Sequence, residues 1–302
     1  MNQQHIHLRS ISDFHQVRRL AAPEHPLISV VNVAELSYPE ETTNSKIIMD
    51  FYVISLKRNC GKIRYGQQLY DFDEGVMYFI APGQVFSIEH NPNEPKQTGT
   101  MLLVHPDFLW NTPLARTIKQ YEYFSYAVNE ALFLSEKEEA IIISIMQNIK
   151  QEYHSNVDKY SQNIIVSQIE TLLNYSDRFY QRQFITRKIT NHQILDRLEK
   201  ILSDYFSSDD ATKGLPSVQY IADMLNVSAG YLSSLLKVLT GQTTQQLIHE
   251  KLIEKAKEKL STTDLSVSEI AYELGFEHPQ SFSKLFKVKT RLSPLEFRQS
   301  FS

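Results

Sequence analysis

The segment Val218-Gln-Tyr-Ile-Ala-Asp-Met-Leu225, together with the Asn226-Val-Ser228 that follows it, decides how the C-terminal part of this chain folds. Its apolar residues lie at the i, i+3, i+4 and i+7 positions that share one face of a helix: Val218, Ile221, Ala222 and Leu225. Ser228 can cap a following helix by accepting a backbone N–H, and Gly241 can end that helix because glycine tolerates positive φ. The segment therefore predicts two helices joined by a tight turn.

The same plan recurs further along the chain. The apolar stripe of its first helix consists of Val267, Ile270, Ala271 and Leu274. Gly275 supplies the turn, and Pro279 suits the first position of the next helix. Between the two units, residues 243–260 have an apolar residue at every fourth position, which predicts one helix roughly 27 Å long at about 1.5 Å per residue. This length is the right order for placing two recognition helices in major-groove segments about 34 Å apart.

Several residues occur in the combination and spacing of one family. They are Ser228-x-x-Tyr231-Leu232-Ser233, Lys237, Gly241, Ile270-Ala271, Gly275-Phe276, Ser281-Phe282-Ser283-Lys284-x-Phe286-Lys287 and Ser293-Pro294-x-x-Phe297-Arg298. In this order they resemble the AraC/XylS family of bacterial transcription regulators, over roughly the last third of the chain. The resemblance implies double-stranded DNA as a partner, a homodimer, a small-molecule effector and RNA polymerase as a further partner.

Three positions depart from the family pattern. Ser234 stands where the family usually has arginine in the first recognition helix, which predicts poor base reading by that helix. Lys251 replaces the arginine of the long helix, so charge is kept but bidentate hydrogen bonding is lost. Arg291 stands where the family usually has glycine, and a non-glycine residue there is strained if the position needs positive φ.

The candidate DNA contacts are the outward-facing positions of the two predicted recognition helices and one lysine of the long helix. They are Ser228, Gly230, Tyr231, Ser233, Ser234, Lys237, Lys251, His278, Gln280, Ser281, Lys284 and Lys287. Lys284 is the first candidate for reading guanine and Gln280 for reading adenine, because these side chains match the hydrogen-bonding edges of those bases. Lys237, Lys251 and Lys287 are expected at phosphates, which position a protein on DNA without specifying sequence.

Basic residues are concentrated at the end of the chain. The whole chain has a net charge of −4. Residues 278–302 nevertheless contain Lys284, Lys287, Lys289, Arg291 and Arg298 against Glu296 alone. A solvated helix face would have the same composition, but the coincidence with the second predicted recognition helix favours phosphate binding.

Residues 28–105 contain short runs rich in β-branched and aromatic residues, such as 28–33, 47–56 and 76–80, separated by turn signals. This pattern predicts an antiparallel sandwich or barrel. Phe72-x-x-Gly75 and Ala81-Pro-Gly-Gln84 resemble, more loosely, the cupin-type sensory barrel found upstream of the DNA-binding module in this family. The predicted fold class is therefore α+β: a cupin-like N-terminal antiparallel β-barrel with flanking helices, and an all-α C-terminal domain. The residues before Pro23 lack periodicity and are expected to form a flexible arm.

Two amphipathic helices are predicted after the barrel, at 135–154 and 158–183, the first opened by the capping box Ser135-Glu-Lys-Glu138. The polar and basic segment 184–190 is predicted to be an interdomain linker. Residues 1–183 are thus expected to bind an effector and dimerise, and residues 191–302 are expected to bind DNA.

A barrel mouth is a natural pocket for a small ligand. The residues suited by type to line it are Tyr52, Arg64, Tyr78, Phe86 and Trp110, although core packing explains each of them equally well. Nothing in the sequence selects the ligand.

Neither catalysis nor a cofactor is predicted. A metal-dependent cupin needs spaced histidines and a carboxylate around one ion, whereas the His5/His7 pair precedes the barrel, and His90 and His105 have no spaced partner. The sequence shows no nucleophile–base motif and no glycine-rich phosphate loop. Two alternatives to a DNA-binding regulator stay open: a cupin-like metal enzyme with an appended helical domain, and a protein–protein adaptor.

The composition is that of an ordinary globular protein, with 42% hydrophobic and 22% charged residues. No apolar run approaches the roughly 20 residues that span a bilayer, and the polar N-terminal residues do not resemble a secretion signal. A single cysteine, Cys60, fits a reducing compartment. A cytoplasmic location without a membrane partner is expected.

Overall fold

The computed structural model describes residues 5–39, 45–59, 63–65, 68–70, 75–87, 97–127, 130–155, 158–186, 188–207 and 214–300. The chain divides into two compact units, Met1–Gln183 and Phe184–Ser302. The N-terminal unit combines strands with helices, and the described part of the C-terminal unit is helical. The fold is therefore mixed α+β.

The described strands of the N-terminal unit lie in three sheets. In chain order they are β1 His5–Leu8, β2 Ile28–Asn32, β3 Lys46–Met49, β4 Tyr52–Arg58, β5 Ile63–Tyr65, β6 Gln68–Tyr70, β7 Gly75–Ile80, β8 Val85–Ser87, β9 Thr98–Val104 and β10 Leu132–Leu134. The largest sheet is antiparallel, in the order β10-β7-β4-β9-β2. A second sheet has the order β1-β3-β8, with β1 and β3 parallel, and β5 pairs with β6. The predicted antiparallel sheet is present, but the strands described do not close into one barrel.

The five-stranded sheet is the middle layer of the N-terminal unit. One of its faces packs in a single buried cluster with the three-stranded sheet and with helix α1 (Ile11–Val17): Ile11, Phe14, Val31, Ile47, Met49, Val53, Met101 and Leu103. Helix α3 (Glu136–His154) lies against the same sheet, and its Tyr153 hydroxyl accepts the backbone N–H of Val30 at 2.9 Å. Burial on both faces explains why these strands are almost wholly apolar.

A capping box begins helix α3, and two partly buried ion pairs hold the helix in place. The capping box of Ser135 and Glu138 forms as predicted. Glu138 also accepts a hydrogen bond from Arg182 of helix α4 (Ser161–Thr186) at 2.7 Å. Glu139, which is 4% exposed, accepts two hydrogen bonds from Arg58 of β4, at 2.6 and 2.8 Å. These charge-assisted bonds join α3 to the sheet and to α4.

The segment 184–190, predicted to be the interdomain linker, is helical where the structure describes it, since α4 ends at Thr186 and helix α5 (Lys188–Ser207) follows. The boundary between the two compact units lies at its start, between Gln183 and Phe184. Phe184 is only 2% exposed and extends the apolar stripe, and the segment contains neither proline nor glycine to end a helix. The prediction of a flexible arm before Pro23 is wrong for the residues that the structure describes there, since β1 pairs with β3 and α1 is opened by a capping box of Ser10 and Asp13. These elements have 4 and 7 residues, too few to show a period.

The helices of the two predicted helix-turn-helix units form where their apolar stripes place them. Helix α2 (Leu114–Thr117) is a short turn in the N-terminal unit. The C-terminal unit continues with α6 Val218–Leu225, α7 Ala229–Thr240, α8 Thr244–Thr262, α9 Val267–Glu273, α10 Pro279–Thr290 and α11 Pro294–Gln299. Helices α6 and α7 form one helix-turn-helix unit, α9 and α10 form another, and the 19-residue helix α8 joins them.

Candidate nucleic-acid interface

Local capping defines the first helix-turn-helix unit. Ser217 and Ser228 cap α6 and α7 by accepting backbone N–H groups from the first turn of each helix, at 3.1 and 3.2 Å. Asn226 takes a φ of 57° between the helices, which asparagine tolerates better than most residues. Gly241 ends α7 at a φ of 75°, as predicted. The turn geometry therefore follows from these four residues.

The face of α7 predicted to meet DNA carries small side chains. Gly230, Ser233 and Ser234 are partly buried, and Lys237 is exposed. The Ser233 hydroxyl lies 3.4 Å from the hydroxyl of Thr244 at the start of α8. Helix α7 thus brings one charged group to this face, and the helix backbone can approach a groove closely.

Tyr231 does not belong to this face, contrary to the prediction. Its side chain is 2% exposed and meets the ring of Phe184 edge-on, with centroids 5.2 Å apart. Tyr231 lies four residues before the buried Leu235, so the helical period places it on the buried side of α7. Its role is in the core of the C-terminal unit.

Helix α10 presents the more polar surface. Pro279 occupies its first turn as predicted, and the fully buried Phe282 and Phe286 hold the helix against the domain. His278, Gln280, Ser281, Lys284 and Lys287 are exposed. Neither of these two lysines forms an ion pair with a residue that the structure describes. The second recognition helix therefore offers two lysines and an amide on one exposed face, with Glu296 of α11 close enough to Lys287 for the lysine to help lower the pKa of that carboxyl group.

Three lysines of α8, unlike Lys284 and Lys287, form ion pairs with carboxylates. Lys251 pairs with Glu254 at 3.0 Å, Lys255 with Glu258 at 2.9 Å, and Lys259 with Glu273 of α9 at 2.6 Å. The i, i+3 spacing of the first two pairs was the signal in the sequence that could have revealed them. Any phosphate that binds Lys251 has to compete with the Glu254 carboxylate.

Two arginines near the end of the chain have structural roles. Arg298 donates to the carbonyl oxygens of Leu260 and Leu265, at 3.2 and 2.6 Å, and so ties α11 to the end of α8. Arg291 ends α10 at a φ of 68°, which confirms that this position needs a left-handed conformation. Lys289 lies near His249 of α8 and, after burial, is the second cause that lowers the pKa of that imidazole. The cations on the exposed recognition face of α10 are therefore Lys284 and Lys287.

Known proteins match this part of the chain. A family profile described as a helix-turn-helix domain matches residues 221–300. The C-terminal domain is an AraC-type helix-turn-helix domain. This AraC-type domain is similar to an uncharacterized HTH-type transcriptional regulator of Pseudoalteromonas carrageenovora, 32% identical over 115 residues, which cover 38% of this chain and 64% of that protein.

Two further relatives and one solved structure match the same domain. The HTH-type transcriptional activator RhaS of Enterobacter sp. strain 638 is 35% identical over 109 residues, covering 36% of this chain and 37% of that protein. The xylose operon regulatory protein of Escherichia coli K12 is 30% identical over 114 residues, covering 38% and 29%. The C-terminal domain of AraT, a response regulator from Geobacillus stearothermophilus, is 32% identical over 35% of this chain and 84% of that chain, with a TM-score of 0.32. The matched region spans less than two thirds of each of the three full-length relatives.

Two of the residues predicted to line an effector pocket, Tyr52 and Tyr78, lie on opposite faces of the five-stranded sheet. In the register of β4, Ser55 is opposite Tyr78, so Tyr78 shares a face with the odd-numbered residues of β4, and Tyr52 lies on the other face. Tyr52 is 7% exposed and meets Phe124 edge-on. Trp110 is 68% exposed, so its ring is not part of the buried core. The side chains of Arg64 and Phe86 lie outside the described residues. The alternation of side chains along a strand is the physical reason for this separation.

The described residues contain no group of three or more His, Cys, Asp or Glu residues arranged to hold a metal ion. None of their helices is both long enough and apolar enough to cross a bilayer.

Proposed function

We propose that this protein is a sequence-specific, DNA-binding transcription regulator of the AraC type. The observation that carries the proposal is helix α10, which presents Gln280, Lys284 and Lys287 on one exposed face. Buried phenylalanines hold this helix in a domain whose matched relatives include named transcription regulators. Lysine can donate to guanine and to phosphate, and glutamine can pair with adenine, so this face can both read bases and bind the backbone.

The two helix-turn-helix units have unequal roles in this proposal. Helix α10 provides most of the base reading, through Lys284 and Gln280. Helix α7 brings small side chains and Lys237 to the DNA, so its contribution comes mainly from phosphate contacts and from DNA shape. Lys251 is a secondary phosphate contact, because its pairing with Glu254 has to be broken first.

The N-terminal unit is proposed to be a cupin-like sensory domain that binds a small effector and forms a homodimer. Its two-sheet core and the long helices α3 and α4 are consistent with these roles. We place the protein in the cytoplasm, with RNA polymerase as its further partner. No catalytic activity is part of the proposal.

The test is a selection of random duplex DNA by the full-length protein at two salt concentrations. The expected result is a motif with two parts about 10 base pairs apart, bound more weakly at the higher salt. A Lys284→Ala, Lys287→Ala double variant is the matched control and should lose the part read by α10. If the wild-type protein recovers no motif and shows no salt-dependent binding to any duplex, the proposal is wrong and a protein–protein adaptor becomes the better explanation.

A further inference from the structure

Two glycines meet backbone to backbone in the C-terminal unit. Gly275 is the turn residue of the second helix-turn-helix unit, at a φ of 86°, and Gly214 precedes the first unit. A Cβ atom placed on Gly275 would lie 2.2 Å from the carbonyl oxygen of Gly214 and 2.5 Å from its carbonyl carbon. Both are backbone atoms, so rotating a side chain cannot relieve the overlap. Gly275 therefore serves two purposes, the left-handed turn and this close approach.

The carbonyl of Gly214 is itself held in place. The hydroxyl of Tyr205, on α5, donates to the Gly214 oxygen at 3.1 Å. The Tyr205 ring meets the ring of Tyr220 edge-on, with centroids 5.4 Å apart, and Tyr220 lies on α6 of the first helix-turn-helix unit. The turn of the second unit thus contacts a carbonyl that α5 holds in place, and α5 in turn packs against α6 of the first unit through the Tyr205–Tyr220 ring contact.

This contact is separate from the connection through α8. The end of α8 is attached to the second unit by the Lys259–Glu273 ion pair and by the hydrogen bond from Arg298 to Leu260. A single helix that joins two bodies still allows them to twist and bend about its axis. A second contact away from that axis removes much of this freedom.

We infer that the Gly214–Gly275 contact sets the mutual orientation of the recognition helices α7 and α10, and thereby the half-site spacing that the protein accepts on DNA. Gly275, Gly214 and Tyr205 are positioning residues in this scheme and touch no base. The part about half-site spacing rests on the proposed function, whereas the part about orientation does not.

The orientation is tested on the full chain by pulsed electron paramagnetic resonance. Cys60 is replaced by serine, and spin labels are attached at Met224→Cys on α6 and Val288→Cys on α10, two exposed positions outside the proposed DNA contacts. We expect Gly275→Ala to shift or broaden the distance distribution between the labels. Gly241→Ala is the matched control, because Gly241 has a φ of 75° but no atom within 4 Å of a Cβ placed there. It brings similar backbone strain without the overlap and should leave the distribution unchanged.

Tyr205→Phe gives a second, milder variant that keeps both glycines and the aromatic ring. It removes the donor that holds the Gly214 carbonyl and should broaden the same distribution to a smaller extent. It also decides the matter if Gly275→Ala does not fold. Distributions of the folded variants that match the wild type overturn the inference, whether or not the protein binds DNA.

The consequence for DNA is measured with duplexes that carry the two selected half-sites at different spacings. The wild-type protein should prefer one spacing between the half-sites. Gly275→Ala should reduce that preference on the order of tenfold, because the binding of α7 to one half-site then no longer positions α10 at the other. Gly241→Ala should keep the preference. A wild-type protein without salt-dependent DNA binding would refute the proposed function alone, and the spin-label distances would still decide the orientation. An unchanged spacing preference in Gly275→Ala would refute the inference about spacing.

Discussion

Replacing Lys284 by alanine separates base reading from general electrostatic attraction. The side chain is exposed and pairs with no described residue, so its removal should change the free energy of unfolding by no more than about 0.5 kcal/mol. A lysine that donates to guanine contributes about 1–3 kcal/mol of binding free energy, which corresponds to about a 5- to 150-fold loss of affinity. The loss should be confined to DNA that carries the preferred base pair. Duplexes already substituted at that base pair should bind almost as before.

Lys289→Ala is the matched control, because it removes the same charge from the same helix. Lys289 lies near His249 of α8 and away from the exposed face of Lys284, so its removal should weaken binding slightly and equally for all sequences. Fluorescence anisotropy with the selected duplex and its single-base-pair variants measures both effects at one salt concentration. The assignment of Lys284 is refuted if Lys284→Ala keeps the wild-type ratios of affinity, or if the two variants cannot be distinguished.

Three other outcomes follow from the structure. Lys251→Ala should lower the slope of log affinity against log salt by less than about one unit, because Glu254 already compensates the charge of Lys251. Glu254→Gln should tighten binding to all DNA sequences. A full unit of change in the slope of Lys251→Ala would contradict the compensation by Glu254. Tyr231→Ala should destabilise the C-terminal unit by about 3–5 kcal/mol in urea unfolding, and a variant of wild-type stability that binds DNA poorly would restore Tyr231 as a contact. Burial, with a smaller contribution from Lys289, lowers the pKa of His249 below its ordinary value of 6.5. The unfolded chain therefore takes up the proton more readily, so the free energy of unfolding should fall as the pH drops below 6.5. His249→Gln should reduce that fall, measured by urea unfolding at a pH above and a pH below 6.5. An equal fall in the wild type and the variant would exclude His249 as a cause.

Sequence patterns predicted the C-terminal unit far better than the N-terminal one. Helix caps, apolar stripes and turn residues act over a few residues, and Ser228, Gly241, Gly275 and Pro279 all take the predicted positions. Strand pairing joins residues that are far apart in the chain. The apolar run 47–56, predicted as one strand, accordingly divides into β3 and β4, which belong to different sheets. Asp50 lies at the break between the two strands, but one polar residue does not show that the strands on either side of it belong to different sheets.

The same division applies to the candidate interface. The amino-acid sequence by itself determined the two helix-turn-helix units and the exposed polar face of α10, since the helical period alone assigns buried and exposed positions there. Only the tertiary structure decided that Tyr231 packs against Phe184, that Arg298 binds the carbonyls of Leu260 and Leu265, and that Gly275 meets Gly214. These contacts join residues that are close only after the helices have packed. No spacing along the chain shows which backbone groups will then lie within reach.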